Sequence, residues 1–205
     1  MLRHRRFYLV LSVPVVLMIG ALVLFRSQPD EITISFVGDI MLSRGVQSYL
    51  EEFGYDYPYE DVRDLFLQDD LTVGNLECPI TDYENAANKA KRFLFKADAE
   101  NASALKRAGF DCLNLANNHT MDYTSPGLLD TMTHLEANGL DYVGASENAA
   151  SKKPYIFEKN GIRVGLLAYS ALPPEGYFFN ADKPTVQYIS TLDFSGLEED
   201  IASVD

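Results

Sequence analysis

The sequence of 205 residues has few thiol and imidazole groups, with only two cysteines and three histidines. No pair of cysteines has the C-x-x-C spacing, which excludes a thioredoxin-like redox motif and a cysteine-ligated zinc site. Cys78 and Cys112 lie near the ends of two apolar segments. They are compatible with a disulfide in an oxidising compartment, and equally with two buried free thiols.

Positive charge is also scarce, because 30 acidic residues face 17 basic ones and the formal net charge is −13. Residues 1–30 contain four arginines and one aspartate, or +3, so residues 31–205 carry −16. A domain this acidic offers no basic face to a phosphate backbone, and we expect no nucleic-acid partner. The acidic surface favours solubility, and it would also attract divalent cations.

Charged residues are missing from one long stretch near the N-terminus. Residues 7–25 are 19 consecutive uncharged residues, enough to cross a bilayer core of about 30 Å as a helix. The three arginines within residues 1–6 predict a cytoplasmic basic head. We therefore predict a single-pass anchor in the cell membrane, a linker over residues 26–31 and an extracytoplasmic domain over residues 32–205. A cleaved signal peptide has the same order of charge and apolar run and is the alternative.

Apolar periodicity predicts strands that alternate with helices over the rest of the chain. The predicted strands cover residues 32–37, 71–76, 110–116 and 142–144, and the predicted helices cover 41–53, 57–68, 100–108, 125–138 and 195–204. Asn160-Gly161 is a strong turn signal and predicts a hairpin over residues 155–169. Residues 171–191 are predicted to form a loop. This order predicts a layered α/β fold with a mainly parallel sheet.

Polar side chains stand at the ends of three predicted strands. Asp39 follows the first strand, Asn75 and Glu77 end the second, and Asn117 and Asn118 follow the third. Because the carboxyl ends of parallel strands meet at one edge of a sheet, we expect a single shared site. Carboxylate and amide oxygens suit a divalent cation, so all five are metal-ligand candidates. Each has a plainer alternative, since a carboxylate can cap the next helix and an Asn-rich turn can satisfy its own backbone.

His119 brings an imidazole to the same predicted edge and can bind a metal or exchange a proton near neutral pH. Asp122, three residues later, could hold the imidazole through a hydrogen bond and fix its tautomer. His119 and Asp122 are therefore the predicted catalytic residues. His4 belongs to the basic head and His134 to the middle of a predicted helix, so neither is expected in the site.

The three strand-end blocks resemble the signature blocks of a known family. Residues 37–41, 74–79 and 115–122 read Val-Gly-Asp-Ile-Met, Gly-Asn-Leu-Glu-Cys-Pro and Leu-Ala-Asn-Asn-His-Thr-Met-Asp. They look like blocks of the CapA family, the bacterial poly-γ-glutamate capsule synthesis proteins within the calcineurin-like metallophosphoesterase superfamily. The resemblance covers roughly residues 32–170 and implies a layered α/β/β/α fold with a dinuclear metal site at the strand ends.

The resemblance also implies roles by motif position. Asp39 would bind the first metal, and Asn75 or Glu77 would take the bridging or second-metal place. Asn118 would be the amide ligand, and His119 the proton donor or phosphate-contacting group. Divalent ions such as Mn²⁺ are the implied cofactors, and in related phosphoesterases such ions activate a water for in-line attack on phosphorus.

The sequence departs from the superfamily pattern in two places. Met41 stands where the superfamily usually has a histidine, and a thioether is a poor ligand for hard metals. The superfamily's remaining histidines come from a later half, which these 205 residues do not contain. We therefore expect an N-terminal portion of a longer protein, with the metallophosphoesterase-like domain incomplete at its C-terminal end.

Together these features predict a membrane-anchored, extracytoplasmic protein of poly-γ-glutamate capsule biosynthesis or export. Its expected partners are the membrane, other capsule synthesis membrane proteins, and an anionic polymer reached through bridging cations. One alternative is a metal-dependent hydrolase of a phosphoester or a peptide-like polymer. The other is a scaffold module that keeps the fold without chemistry.

Overall fold

The computed structural model describes residues 31–87, 92–174, 178–190 and 193–204. The predicted basic head and membrane anchor, and all but the last residue of the predicted linker, lie outside the described residues. Within the described ranges, no helix has the length and apolar character needed to span a bilayer.

A four-stranded parallel sheet forms the centre of the fold and confirms the predicted α/β class. Its strands are β1 (Ile34–Ile40), β2 (Leu71–Leu76), β3 (Cys112–Asn114) and β4 (Asp141–Val143), hydrogen-bonded in that spatial order. All three strand pairs are parallel. Four strands in sequence order place the four carboxyl ends along one edge.

The helices follow the strands as the apolar spacing predicts. They are α1 (Gly45–Phe53), α2 (Arg63–Phe66), α3 (Glu100–Ala108), α4 (Thr124–Ala137) and α5 (Ser195–Val204). The helix predicted over residues 57–68 is instead a 3-10 turn at Tyr57–Tyr59 followed by α2. Tyr59 and Phe66 face the core and pack on the Phe110 ring at centroid distances of 6.0 and 5.1 Å.

Two small antiparallel sheets complete the described fold. Strands β5 (Ala145–Ser146) and β8 (Thr185–Val186) pair with each other, so the loop predicted over residues 171–191 contains a short strand. Strands β6 (Tyr155–Lys159) and β7 (Ile162–Leu166) form the predicted hairpin. Its turn is Asn160-Gly161, both at positive φ, which matches the twist of the flanking strands.

The two faces of the central sheet are covered differently. On one face, Leu76 and Leu113 pack with Leu105 of α3 and Leu128 of α4 in one large core. On the other face, buried strand residues contact the hairpin formed by β6 and β7; they are Leu71, Val73, Cys112 and Val143. Phe36 of β1 lies beyond this cover and is 66% exposed.

A bulge in β1 sets the register of the site. Phe36 pairs with Val73, but the next pair is Asp39 with Asn75, so β1 carries one extra residue. A bulge of this kind re-aims the side chains that follow it. The strand therefore continues through Ile40 instead of ending at residue 37 as predicted. Gly74 faces the bulge, and a Cβ there would come within 2.5 Å of Ile40 Cδ1.

Candidate functional site

A row of polar side chains crosses three strands at the carboxyl edge of the sheet. The strand register pairs Asp39 with Asn75 and Asn75 with Asn114. The Asn75 Nδ2 group donates to Asp39 Oδ1 at 2.7 Å, and Asn75 Oδ1 accepts from Asn114 Nδ2 at 2.9 Å. Asn75 thus connects a carboxylate on the edge strand with an amide in the middle of the sheet.

Two carboxylates converge on the same amide. Asn75 Nδ2 also donates to Glu77 Oε2 at 3.0 Å, so Asp39 and Glu77 share one neutral donor. Asp39 is exposed and Glu77 is partly buried. Burial first, and then the Asp39 carboxylate, raise the pKa of Glu77. A cation between these two carboxylates would lower that electrostatic cost.

Asn117 organises the turn that follows β3. Its Oδ1 accepts from the backbone N–H groups of His119 and Thr120 at 3.0 and 2.9 Å, and from Thr120 Oγ1. Its Nδ2 donates to Leu76 O at 2.8 Å and to Asn75 Oδ1 at 3.1 Å. The buried Asn117 amide is therefore fully used in holding the turn, and its role as a metal ligand stays a prediction.

His119 and Asp122 form a buried pair behind the carboxylates. His119 Nδ1 and Asp122 Oδ2 are 2.9 Å apart, and Asp122 Oδ2 also accepts from the Phe95 backbone N–H at 2.9 Å. The Phe95 ring packs on the imidazole with a centroid distance of 4.2 Å. Because a carboxylate only accepts hydrogen bonds, this pair places the proton on Nδ1 and leaves Nε2 as the outer nitrogen.

The outer nitrogen of His119 faces the carboxylates. Its Nε2 lies 3.7 Å from Glu77 Oε1, too far for a hydrogen bond but close enough for both atoms to bind one cation. The structure therefore brings Asp39, Asn75, Glu77 and His119 together at one edge, as the sequence predicts.

Both cysteines are free and buried. Cys78, next to Glu77, accepts from the Leu42 backbone N–H through its sulfur, and Cys112 lies on the hairpin face of the sheet. Burial raises the pKa of each thiol to about 12. The sequence allowed either a disulfide or two buried free thiols, and the structure has the buried free thiols. A buried thiol with a raised pKa is a poor nucleophile, so we assign neither cysteine a role in the chemistry of the site.

The remaining predicted residues are placed less centrally. Asn118 is half-buried at the site turn, and His134 lies on α4, away from the strand ends as expected. Asn114 and Phe95 belong to the site but were not predicted. The strand register would have revealed Asn114, whereas Phe95 reaches the imidazole only through the tertiary fold.

The donor chemistry of the open edge fits a hard divalent cation in part. Two carboxylates, an imidazole nitrogen and a neighbouring amide are ligands that such ions accept. Among the described residues, however, no three His, Cys, Asp or Glu side chains already stand at metal-binding spacing. Asp39 and Glu77 are the two carboxylates that share the Asn75 amide at this edge, and Asn118 is a half-buried residue of the adjoining turn.

Comparison with known proteins gives one family. The profile described as bacterial capsule synthesis protein PGA_cap matches residues 33–199. The capsule biosynthesis protein CapA of Bacillus anthracis is 35% identical over 158 residues, which cover 76% of this chain and 38% of that protein. The PGA biosynthesis protein CapA of Bacillus subtilis (strain 168) is 33% identical over 159 residues, 77% of this chain and 42% of that protein.

A third relative is less similar to this chain. A probable polyglutamine synthesis accessory protein of Mycobacterium tuberculosis is 25% identical over 217 residues, 85% of this chain and 56% of that protein. The chain spans about two fifths of the length of the two Bacillus relatives it matches.

Proposed function

The chain belongs to the family of bacterial capsule synthesis proteins, and from that membership we propose that it takes part in poly-γ-glutamate capsule biosynthesis or export. Residues 7–25 would anchor it in the cell membrane, with the domain outside the cytoplasm beside other capsule synthesis membrane proteins. The domain would be of the metallophosphoesterase type. Helices α3 and α4 would cover one face of the central sheet, and the β6–β7 hairpin would be the first two strands of a second sheet on the other face.

The convergence of Asp39 and Glu77 on one amide donor supports a cation-binding role for the carboxyl ends of the strands. Two carboxylates held this close, within residues 31–205 that together carry a charge of −16, favour a bound cation. A divalent ion such as Mn²⁺ would be held by Asp39 and Glu77, with Asn118 and the outer nitrogen of His119 beside them. When bound, it would neutralise and polarise an anionic group of the substrate.

The chain's own residues supply the rest of the chemistry. Asp122 and Phe95 fix the orientation of the imidazole, so that His119 Nε2 is directed at the carboxylate edge. An imidazole held in one tautomer can take or give a proton at Nε2 without first reorienting. His119 is therefore the proton-handling group of the proposed site.

A metal-dependent hydrolase is the second candidate, and the His119–Asp122 pair favours it. The pair buries the Asp122 carboxylate, which is costly unless the carboxylate is hydrogen-bonded. A scaffold that only holds polymer does not need an imidazole fixed in one tautomer, whereas a hydrolase does. The substrate would be a phosphoester or a peptide-like polymer, consistent with a machine that cuts or releases an anionic chain.

The capsule role is tested in cells. Deleting the gene is expected to remove the surface polymer, and the wild-type gene is expected to restore it. Complementation with Asp39→Ala, Glu77→Ala or His119→Ala should leave the surface without polymer at normal protein levels. Unchanged polymer in the deletion strain would overturn the proposed role.

The cation is tested on the purified full chain. Mn²⁺ is expected to raise the Tm of the wild type, and Asp39→Ala should abolish the shift, whereas Glu52→Ala, an exposed glutamate on α1, should keep it. Turnover of a phosphoester or γ-glutamyl substrate that His119→Ala removes would support the hydrolase. Metal binding without any turnover would favour the scaffold alternative.

A further inference from the structure

Two arginines converge on one exposed aromatic ring. The guanidinium carbons of Arg44 and Arg92 each lie 5.2 Å from the centroid of the Phe93 ring. They are therefore no more than 10.4 Å apart. Phe93 is 40% exposed, and both arginines are exposed, so this cluster faces solvent.

Neither guanidinium has a carboxylate partner among the residues that the structure describes. Other basic side chains do pair with carboxylates; they are Lys96, Lys106, Arg107, Lys152 and Lys159. Like charges at this separation repel each other, and a chain of net charge −13 has many carboxylates that could have offset the repulsion. The two positive charges are instead left available on the surface.

The guanidiniums are also chemically prepared to bind anions. A guanidinium that lies over an aromatic ring keeps its edge N–H groups free, and these fit a carboxylate or a phosphate through two parallel hydrogen bonds. The ring limits the freedom of both side chains, which lowers the ordering cost of binding. Two such donors on one ring suit a ligand with repeated anionic groups.

The cluster is directly joined to the candidate site. Arg44 follows Ser43, whose Oγ accepts from the Lys96 backbone N–H at 3.2 Å. Lys96 in turn follows Phe95, the residue whose ring packs on His119. Arg92 thus lies three residues before the ring that covers the imidazole, and Arg44 lies next to the serine that is hydrogen-bonded to the same segment.

The backbone at Arg44 supports a functional role for its side chain. Its φ is 57° and its ψ is −128°, a conformation that favours glycine and is strained for arginine. A glycine at this position would remove the strain and also the guanidinium. Strain of this kind persists where the surrounding structure over-determines it, and it clusters at functional sites.

We propose that Arg44, Arg92 and Phe93 form a binding site for the carboxylates of an anionic polymer, beside the Asp39–Glu77 edge. The inference rests on the proposed function and adds a direct contact to the cation-bridged one expected from the acidic composition. The polymer would lie across the Phe93 ring with neighbouring carboxylates on the two guanidiniums. The adjoining segment of the polymer would then reach His119.

The test uses a fluorescent γ-linked glutamate polymer of defined length. Its binding to the full-length protein is measured by fluorescence anisotropy in the presence of EDTA. Without divalent ions, cation bridging is removed and the guanidiniums alone are probed. Arg44→Gln/Arg92→Gln is expected to weaken binding about tenfold or more, because two charge-assisted contacts are lost. The salt dependence should flatten as well. Arg63→Gln, which removes an exposed arginine on α2 outside the Arg44–Arg92–Phe93 cluster, should bind as the wild type does.

Equal affinity of the double variant and the wild type would overturn the inference. Binding confined to polyphosphate of equal length would overturn the carboxylate assignment. If the double variant does not fold, Arg92→Gln alone, outside every helix and strand, should still weaken binding about threefold.

The same strains separate this inference from the proposed function. If deletion removes the capsule but the arginine variants bind and restore polymer normally, the inference fails and the proposed function stands. If binding depends on the arginines but the deletion strain keeps its polymer, the binding site stands and the proposed function fails.

Discussion

The two sides of His119 are built differently. On the inner side, Asn117, Asp122 and the imidazole itself are 7%, 2% and 8% exposed. Both polar atoms of the Asn117 amide, His119 Nδ1 and Asp122 Oδ2 are held by hydrogen bonds of 3.1 Å or less. On the outer side, Asp39 is exposed and Glu77 is held by one shared amide donor. The same strand ends thus carry a hydrogen-bonded inner wall, formed by Asn117, Asp122 and His119, and an open edge, formed by Asp39 and Glu77.

The difference separates stability from chemistry. Buried polar groups that are fully hydrogen-bonded fix one conformation, and removing a partner leaves others unsatisfied in a medium of low dielectric constant. Carboxylates at an open edge contribute little to folding and remain free to bind ions. Substitution of an inner group that only holds the turn should therefore change the free energy of unfolding, and substitution of an outer carboxylate should change function. Asp122, which holds the imidazole, should affect both.

The largest effect is expected from Asn117→Ala. The substitution leaves the buried backbone N–H groups of His119 and Thr120 without their acceptor, at about 1–3 kcal/mol for each orphaned group. We expect the free energy of unfolding to fall by about 3–5 kcal/mol, measured by urea denaturation monitored by circular dichroism.

Its matched control is the neighbouring amide. Asn118→Ala removes the same group one residue later, where the side chain is half-buried and no hydrogen bond holds it in the described structure. We expect a loss within about 0.5 kcal/mol, together with a weaker response to Mn²⁺. Similar losses for the two variants would contradict the division into an inner wall and an open edge.

Asp122→Asn should have an intermediate effect on stability and a large one on function. The carboxylate accepts from Phe95 and His119 through the same oxygen, and an amide oxygen would keep these contacts without the charge. We expect a loss of about 1–2 kcal/mol, because the imidazole loses a charged partner. Surface polymer should fall to the level of His119→Ala.

Asp130→Asn provides the comparison for that variant. Asp130 lies on α4 and accepts from Thr81 Oγ1 at 2.6 Å, so the chemical change is the same and the position is outside the site. Polymer should stay at the wild-type level in this strain. A parallel loss of polymer in both strains would mean that general destabilisation, and not the imidazole, explains the result.

Much of the fold was predictable because local signals and tertiary packing agree. Apolar runs predicted the four parallel strands, and Asn160-Gly161 predicted the hairpin turn. The helix expected over residues 57–68 is different, because its position in the core is decided by stacking on Phe110. That contact joins residues far apart in the sequence and has no local signature.

The site was predictable in membership but not in detail. Parallel topology alone predicts that Asp39, Glu77 and His119 meet at one edge. The bulge that pairs Asp39 with Asn75 was not predictable, because the sequence does not fix a one-residue register shift. Nor was the full use of the Asn117 amide, since an asparagine in a turn looks the same whether its oxygen faces a cation or the backbone.

In the absence of a metal ion, the smallest effect is expected for the pH dependence of Glu77→Gln, which is also the most direct probe of the open edge. The pKa of Glu77 is raised in the folded state, so the wild type is relatively most stable below the unfolded-state pKa of about 4.3 and loses stability as the pH rises through the folded-state pKa. The glutamine variant lacks this loss. In EDTA, urea denaturation should therefore show the free energy of unfolding of Glu77→Gln rising relative to that of the wild type between pH 4 and pH 7. The exposed Glu52→Gln should show no such trend.

Adding Mn²⁺ at pH 7 should make the wild type more stable than Glu77→Gln. The reason is that a bound cation stabilises the protein with the charged carboxylate, by about 2.7 kcal/mol at a hundredfold excess over Kd. If the glutamine variant keeps its advantage at saturating Mn²⁺, the outer edge is an acidic surface and not a cation site.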